Sequence, residues 1–217
     1  MKENEFDDRP WTEEEWEKFI ECSEIRAAKY GELLETFMDD PNCDEIIARE
    51  MGWDEPDDEG TAADVEWMNS IAEAAVHDEE IEEFIRRREE GLRALPAYAR
   101  SFEFGLKCHN LLRPYVQAEA DPPDDDLIAA FSESRLIAVK IAGGHAMGYE
   151  DHTLCGNIVC CKRSLAAADK CLAALESLKA RGKVPSEVLD PLIAACREVR
   201  SVVEQHIAEL RSRVWWV

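Results

Sequence analysis

Leu154–Leu178, LCGNIVCCKRSLAAADKCLAALESL, decides the fold. Leu154, Ile158, Cys161, Leu165, Ala168, Leu172 and Leu175 are spaced 4, 3, 4, 3, 4, 3, which puts them on one narrow stripe of an α-helix. Lys162, Arg163, Asp169, Lys170 and Glu176 fall on the other side. No proline, and no glycine after Gly156, interrupts the pattern before Arg181 and Gly182 stop it. A helix striped along this length requires partners along this length, so the stretch predicts a helical bundle.

The same rhythm recurs on either side. Toward the C-terminus, Leu192, Cys196, Val199, Val203, His206 and Leu210 repeat it, in a helix that starts either at Pro185 or at the Asp190–Pro191 pair. On the other side, Leu127, Phe131, Ala138 and Ile141 predict a shorter helix, capped by Asp125 or Asp126 and terminated by Gly143 and Gly144. Before it, Ile81, Ile85, Arg88, Leu92, Leu95, Ala99, Phe102, Leu106 and His109 predict a long helix to about Leu112, kinked or split at Pro96, with Arg113 and Pro114 at its exit. Four helices on short connections predict an all-α, antiparallel up-down bundle over residues 78–217.

Residues 1–77 predict an acidic helical lobe or cap. Thr12 and Glu15 have capping-box spacing, and a helix follows to about Met38, ended by Asp39, Asp40 and Pro41. A short helix from Asp44 to Met51, an acidic loop at Trp53–Gly60, an amphipathic helix at Thr61–Val76 and an N-cap at Asp78 complete it.

Charge separates the two regions. Residues 1–90 hold 32 acidic and 9 basic side chains, whereas residues 91–217 hold 16 of each, so the whole formal charge of −23 lies in the first part. Direct nucleic-acid binding needs a basic surface and is therefore not expected; a basic protein partner is compatible. No apolar run reaches membrane-spanning length and the first residues lack a signal peptide's apolar core, which predicts a cytoplasmic protein with reduced thiols. The pattern sets no oligomeric state.

Familiar catalytic motifs are absent: there is no P-loop, no G-x-S-x-G, no H-E-x-x-H, no C-x-x-C and no paired Glu-x-x-His. No cofactor is predicted. Polar residues nevertheless sit on the seams. If the last two helices turn about Lys183 and Val184, Cys161 comes level with His206 and Cys171 with Cys196. His109 approaches the first pair, a donor set suited to zinc or iron. A second set, His145, His152 and Cys155 with Glu150 and Asp151, crowds one end of the bundle. The bland alternative for both is buried cysteine acting as a small hydrophobe and acids favoured in a first helical turn. A third set, Trp11 and Trp16 with Glu13, Glu14 and Glu17, forms an aromatic patch rimmed by carboxylates that suits a protein partner. These features together predict a non-enzymatic interaction or structural protein. The alternative is a bundle, conceivably enzymatic, that binds a metal or small molecule between its helices.

Overall fold

The computed structural model describes residues 9–53, 79–118 and 124–216, and every regular element among them is an α-helix. The helices are α1 (Glu13–Phe37), α2 (Cys43–Met51), α3 (Glu79–Ala94), α4 (Pro96–Ala118), α5 (Asp125–Met147), α6 (Asp151–Ala180) and α7 (Ser186–Arg211). The expected loop after Trp53, the Thr61–Val76 helix, the Asp78 cap and the boundary at residue 77 lie outside the described residues. One compact unit takes in Glu89–Val217 with the chain's start through Trp16, and the other is Glu17–Arg88.

In the first unit α4, α5, α6 and α7 form a closed ring in which each helix packs on two neighbours. The links from α5 to α6 and from α6 to α7 are only three and five residues, which forces sequential helices to run antiparallel. The stretch that opened the sequence analysis is the most buried element: Leu154 through Cys161 are buried without a break, as are Ser164, Ala167, Ala168, Cys171, Ala174, Leu175 and Leu178.

The tightest contact is between α5 and α6, and small side chains make it. A Cβ added at Gly144 would lie 2.6 Å from Asn157 Oδ1 and 3.0 Å from the Asn157 carbonyl. Seven residues further along each helix, Ser164 Oγ donates to the Ile137 carbonyl at 2.8 Å. Seven further again, Cys171 Sγ donates to the Ala130 carbonyl at 3.6 Å. The two backbones approach closely enough for α6 side chains to reach α5 carbonyls at a seven-residue interval, the repeat of a helix pair in left-handed coiled-coil register.

Both ends of this pair are tied. At one end Asp124 is the α5 N-cap, accepting from the Asp126 and Leu127 amides. It also receives both guanidinium nitrogens of Arg181, just past α6, at 2.6 and 2.8 Å. Asp126, expected as a cap, instead accepts from Ser177 and Arg181, each at 2.6 Å. At the other end Lys162 of α6 pairs with Glu13 of α1 at 3.3 Å, beside the Thr12–Glu15 capping box, which forms as the spacing predicts, with the Thr12 amide on Glu15 Oε2 at 2.9 Å and the Glu15 amide on Thr12 Oγ1 at 3.3 Å.

Two alternatives left open by the sequence are resolved, the split at Pro96 and the start at Pro185, and two expectations, at Pro114 and Gly144, change. The long helix is split at Leu95, and Pro96 opens α4, where its missing donor costs nothing. Pro114 does not end α4, and Pro191 does not start α7. Each lies inside its helix with the carbonyl it would have bonded, on Asn110 and Glu187, in an exposed residue, so no buried group is left unpaired. Gly144 does not terminate α5; it is the point of closest approach to α6.

Two predictions follow from this packing. Gly144→Ala should destabilise the chain by about 1–3 kcal/mol through overpacking, whereas Gly143→Ala, next to it with open space around its Cβ, should stabilise by about 0.5–1 kcal/mol. Urea midpoints of the two variants would reveal the opposite signs. Asp124→Ala should cost about 1 kcal/mol at neutral pH. Arg181 holds the Asp124 carboxyl well below the usual carboxylate range, so its contribution is complete above about pH 4 and drains away as pH falls further. Thermal melts from pH 7 to pH 3 should show wild type and variant converging only in the acid range.

Candidate functional site

The seam cysteines and histidines occupy three different environments. Cys171 of α6 lies within hydrogen-bond reach of Cys108 on α4 and Cys196 on α7, so one layer of the bundle contributes a thiol from each of three helices. The expected pairing of Cys171 with Cys196 is thus present. Cys196 Sγ donates to the Ala168 carbonyl at 3.5 Å, and neighbouring thiols and burial push the Cys171 pKa strongly upward. All three thiols are buried packing groups.

His109, Cys161 and His206 do not share one centre. The His109 ring rests on Phe131 with centroids 5.2 Å apart. Cys161, fully buried, donates to Asn157 Oδ1 at 3.5 Å, and burial pushes its thiol up to about 12. His206 faces Glu209, with Nδ1 4.0 Å from the carboxylate, and burial lowers its pKa. Among the described residues no group of three or more His, Cys, Asp or Glu side chains is arranged to hold a metal ion.

The second set is divided as well. His152 is exposed and Cys155 fully buried, with burial raising the Cys155 pKa. His145 instead joins a hydrogen-bonded chain across the α5–α6 connection. Its Nδ1 is 2.7 Å from the Tyr149 hydroxyl, Tyr149 bonds to the Asn157 side chain, and Asn157 Nδ2 donates to the Gly148 carbonyl at 3.0 Å. The donor inventory directs the Cys161 thiol to the Asn157 oxygen and the Asn157 amide to the Tyr149 oxygen, while the proton between Tyr149 and His145 Nδ1 follows the imidazole tautomer. Asn157 is buried, so each of these bonds satisfies a group that would otherwise destabilise the core, and the chain works as a lock on the α5–α6 turn.

The third set divides between anchoring and exposure. Glu13 takes Arg211 on both carboxylate oxygens at 2.8 and 2.7 Å and Lys162 at 3.3 Å, and Arg211 first, then Lys162, lowers its pKa against the opposing effect of burial. Trp16 lies over Gly156, where an added Cβ would fall 2.9 Å from the indole, and Trp11 packs on Trp16 at 5.2 Å. These residues fasten the start of α1 within its unit. Glu14 is exposed and Glu17 half-buried.

A fourth feature escaped the sequence reading. Between α4 and α5 runs an open cleft of about 380 Å³. Its depth comes from small residues, Ser101 and Gly105 on α4 and Ala138 and Ala142 on α5; a Cβ at Gly105 would already be 3.2 Å from the Ser134 carbonyl. Its walls are Phe102, Leu106 and Val139, which are 48%, 50% and 58% exposed. Ser101 is completely buried and its hydroxyl has no hydrogen-bond partner. Toward one end the Arg135 guanidinium lies 4.6 Å above the Phe131 ring, beside His109. The sequence pattern put Phe102 and Leu106 on the packed seam of α4, whereas the buried stripe is Ala97, Ser101, Phe104, Gly105, Cys108 and Leu112 and the two large side chains wall the cleft; small residues at i, i+4 spacing pack as deeply as large ones, and periodicity alone does not separate a cleft wall from core.

Comparison with known proteins finds no matching protein family, no similar curated protein and no matching solved structure.

Thiol chemistry tests the packing reading directly. Cys22 is exposed and Cys43 half-buried, whereas Cys108, Cys155, Cys160, Cys161, Cys171 and Cys196 are buried. Titration with an aromatic disulfide at pH 8 should modify Cys22 rapidly and Cys43 more slowly, with the six others reacting only in denaturant. Rapid modification of a third thiol in the native chain would contradict the arrangement.

Proposed function

We propose that the chain is a non-enzymatic interaction protein whose partner-facing element is α1 beyond its anchored first turn. One observation carries this reading: α1 is 25 residues long and buries only Ile20. A helix gains most of its stability by packing an apolar stripe, so an amphipathic helix that buries so little has surface to offer. Phe19, Tyr30 and Leu34 lie on one stripe and are 50%, 39% and 41% exposed. Around them α1 carries eight glutamates against Lys18, Arg26 and Lys29. An apolar stripe flanked by carboxylates fits a groove with a basic rim on a partner protein.

The buried thiols support the non-enzymatic side of the reading, since a buried thiol committed to a carbonyl is poorly placed to act as a nucleophile or a metal ligand. A soluble, cytoplasmic setting belongs to the same proposal; the observed fact is that no described helix is long and apolar enough to cross a membrane.

Replacing Glu14, Glu21 and Glu24 together by Lys should slow association with a basic partner about tenfold or more and abolish its salt dependence, leaving the thermal midpoint unchanged within a degree or two. Phe19→Ser with Leu34→Ser should instead speed dissociation. Affinity capture from the native host with wild type and both variants, at two salt concentrations, is the measurement. Identical partners with identical salt response in all three would refute the assignment of α1.

A further inference from the structure

The exposed apolar residues of the bundle are distributed unevenly. Phe102, Leu106 and Leu111 on α4, and Ile128, Leu136 and Val139 on α5, are all exposed, while α6 and α7 present no large exposed hydrophobic. The α6–α7 side is covered instead by cross-helix ion pairs: Arg197 with Glu176 at 2.6 Å, and Arg200 with Asp169 and Lys179 with Asp190 at 2.5 Å each. One side of the bundle is finished against water and the other is open at the cleft.

We infer that the α4–α5 cleft is a binding site for a small, elongated, mostly apolar carboxylic acid. Size is the first support: 380 Å³ is within the range of small-molecule sites, and the cleft is apolar apart from a few placed polar groups. The second is Arg135. With its face on the Phe131 ring, the guanidinium keeps its N–H edge for a carboxylate, the bidentate arrangement that arginine favours.

The extent of the cleft sets the length of the ligand. Gly105 is level with Ser134 and Arg135, and His109 with Phe131. Ser101, farther along the cleft, therefore lies about two helical turns from the guanidinium, or ~10–12 Å at 1.5 Å per residue. Phe102, Leu106 and Val139 would enclose the apolar body that follows the carboxylate, with Tyr98 stacked on Phe102 at 5.8 Å to extend the aromatic wall. This inference rests on the bundle alone and is independent of α1.

Calorimetric titration of the full chain with phenylbutanoate tests it. The acid should bind saturably at one site per chain, and the uncharged phenylbutanamide at least tenfold more weakly. Arg135→Gln should weaken the acid by about tenfold or more and remove its preference over the amide. Ala138→Trp should block binding by filling the cleft, and Val139→Glu, at an exposed position that leaves folding undisturbed, should block it by charge. Lack of saturable binding of the acid at millimolar concentration would overturn the proposal, as would binding that survives both Ala138→Trp and Val139→Glu. Equal binding of acid and amide would overturn the assigned ligand class.

Discussion

Close approach of α5 and α6 is the constraint on which the rest of the structure depends. Helix axes come this near only where the facing side chains are small, and Gly144, Ala130, Ser164 and Cys171 provide such positions at seven-residue intervals. Once α6 lies that deep, its Leu154, Ile158, Leu175 and Leu178 have no route to solvent and become the floor against which the other helices pack. The polar groups brought in with the small residues are each bonded, Ser164 and Cys171 to carbonyls of α5 and Asn157 to the Gly148 carbonyl. The polar ties at the two ends, Asp124 with Arg181 and Glu13 with Arg211, each join a half-exposed arginine to a more sheltered carboxylate and hold register.

Much of this fold was legible in the residues because the apolar periodicity of α6 and α7 leaves no alternative to a bundle. The capping box at Thr12 and the level pairing of Cys171 with Cys196 came from spacing alone. Where the reading failed, a local signal was overridden by context. Gly143–Gly144 resembles a helix stop, yet glycine is also what a close helix contact requires. Pro114 resembles a helix boundary, yet it sits on a solvent-facing side where a missing donor is tolerated. Asp124 was passed over for its two acidic neighbours because sequence does not show which carboxylate Arg181 will clamp.

The sites were less legible than the fold. A list of seam cysteines and histidines does not reveal that His109 rests on Phe131 while Cys161 is bonded to Asn157, because that depends on side-chain direction in the packed layers. Nor does it reveal a cleft, which is defined by what is missing between Ser101, Gly105, Ala138 and Ala142. The charge division along the chain did survive as a physical distinction: the ion-paired α6–α7 side balances its charges locally, whereas α1 carries eight acids with little burial. A buried helix and an exposed acidic helix are thus two parts of the same chain in different physical environments.

Hydrogen exchange resolved along the whole chain measures that difference most directly, because amide protection reports the free energy needed to open each segment. The account predicts that amides of Leu154–Leu178, and those of α5 facing them, exchange only through global unfolding, while amides of α1 beyond Ile20 exchange several orders of magnitude faster. Protection of residues 21–37 equal to that of α6 would mean that α1 is held as firmly as the core, and exchange of 154–161 as fast as α1 would mean that α6 is not the element on which the bundle depends.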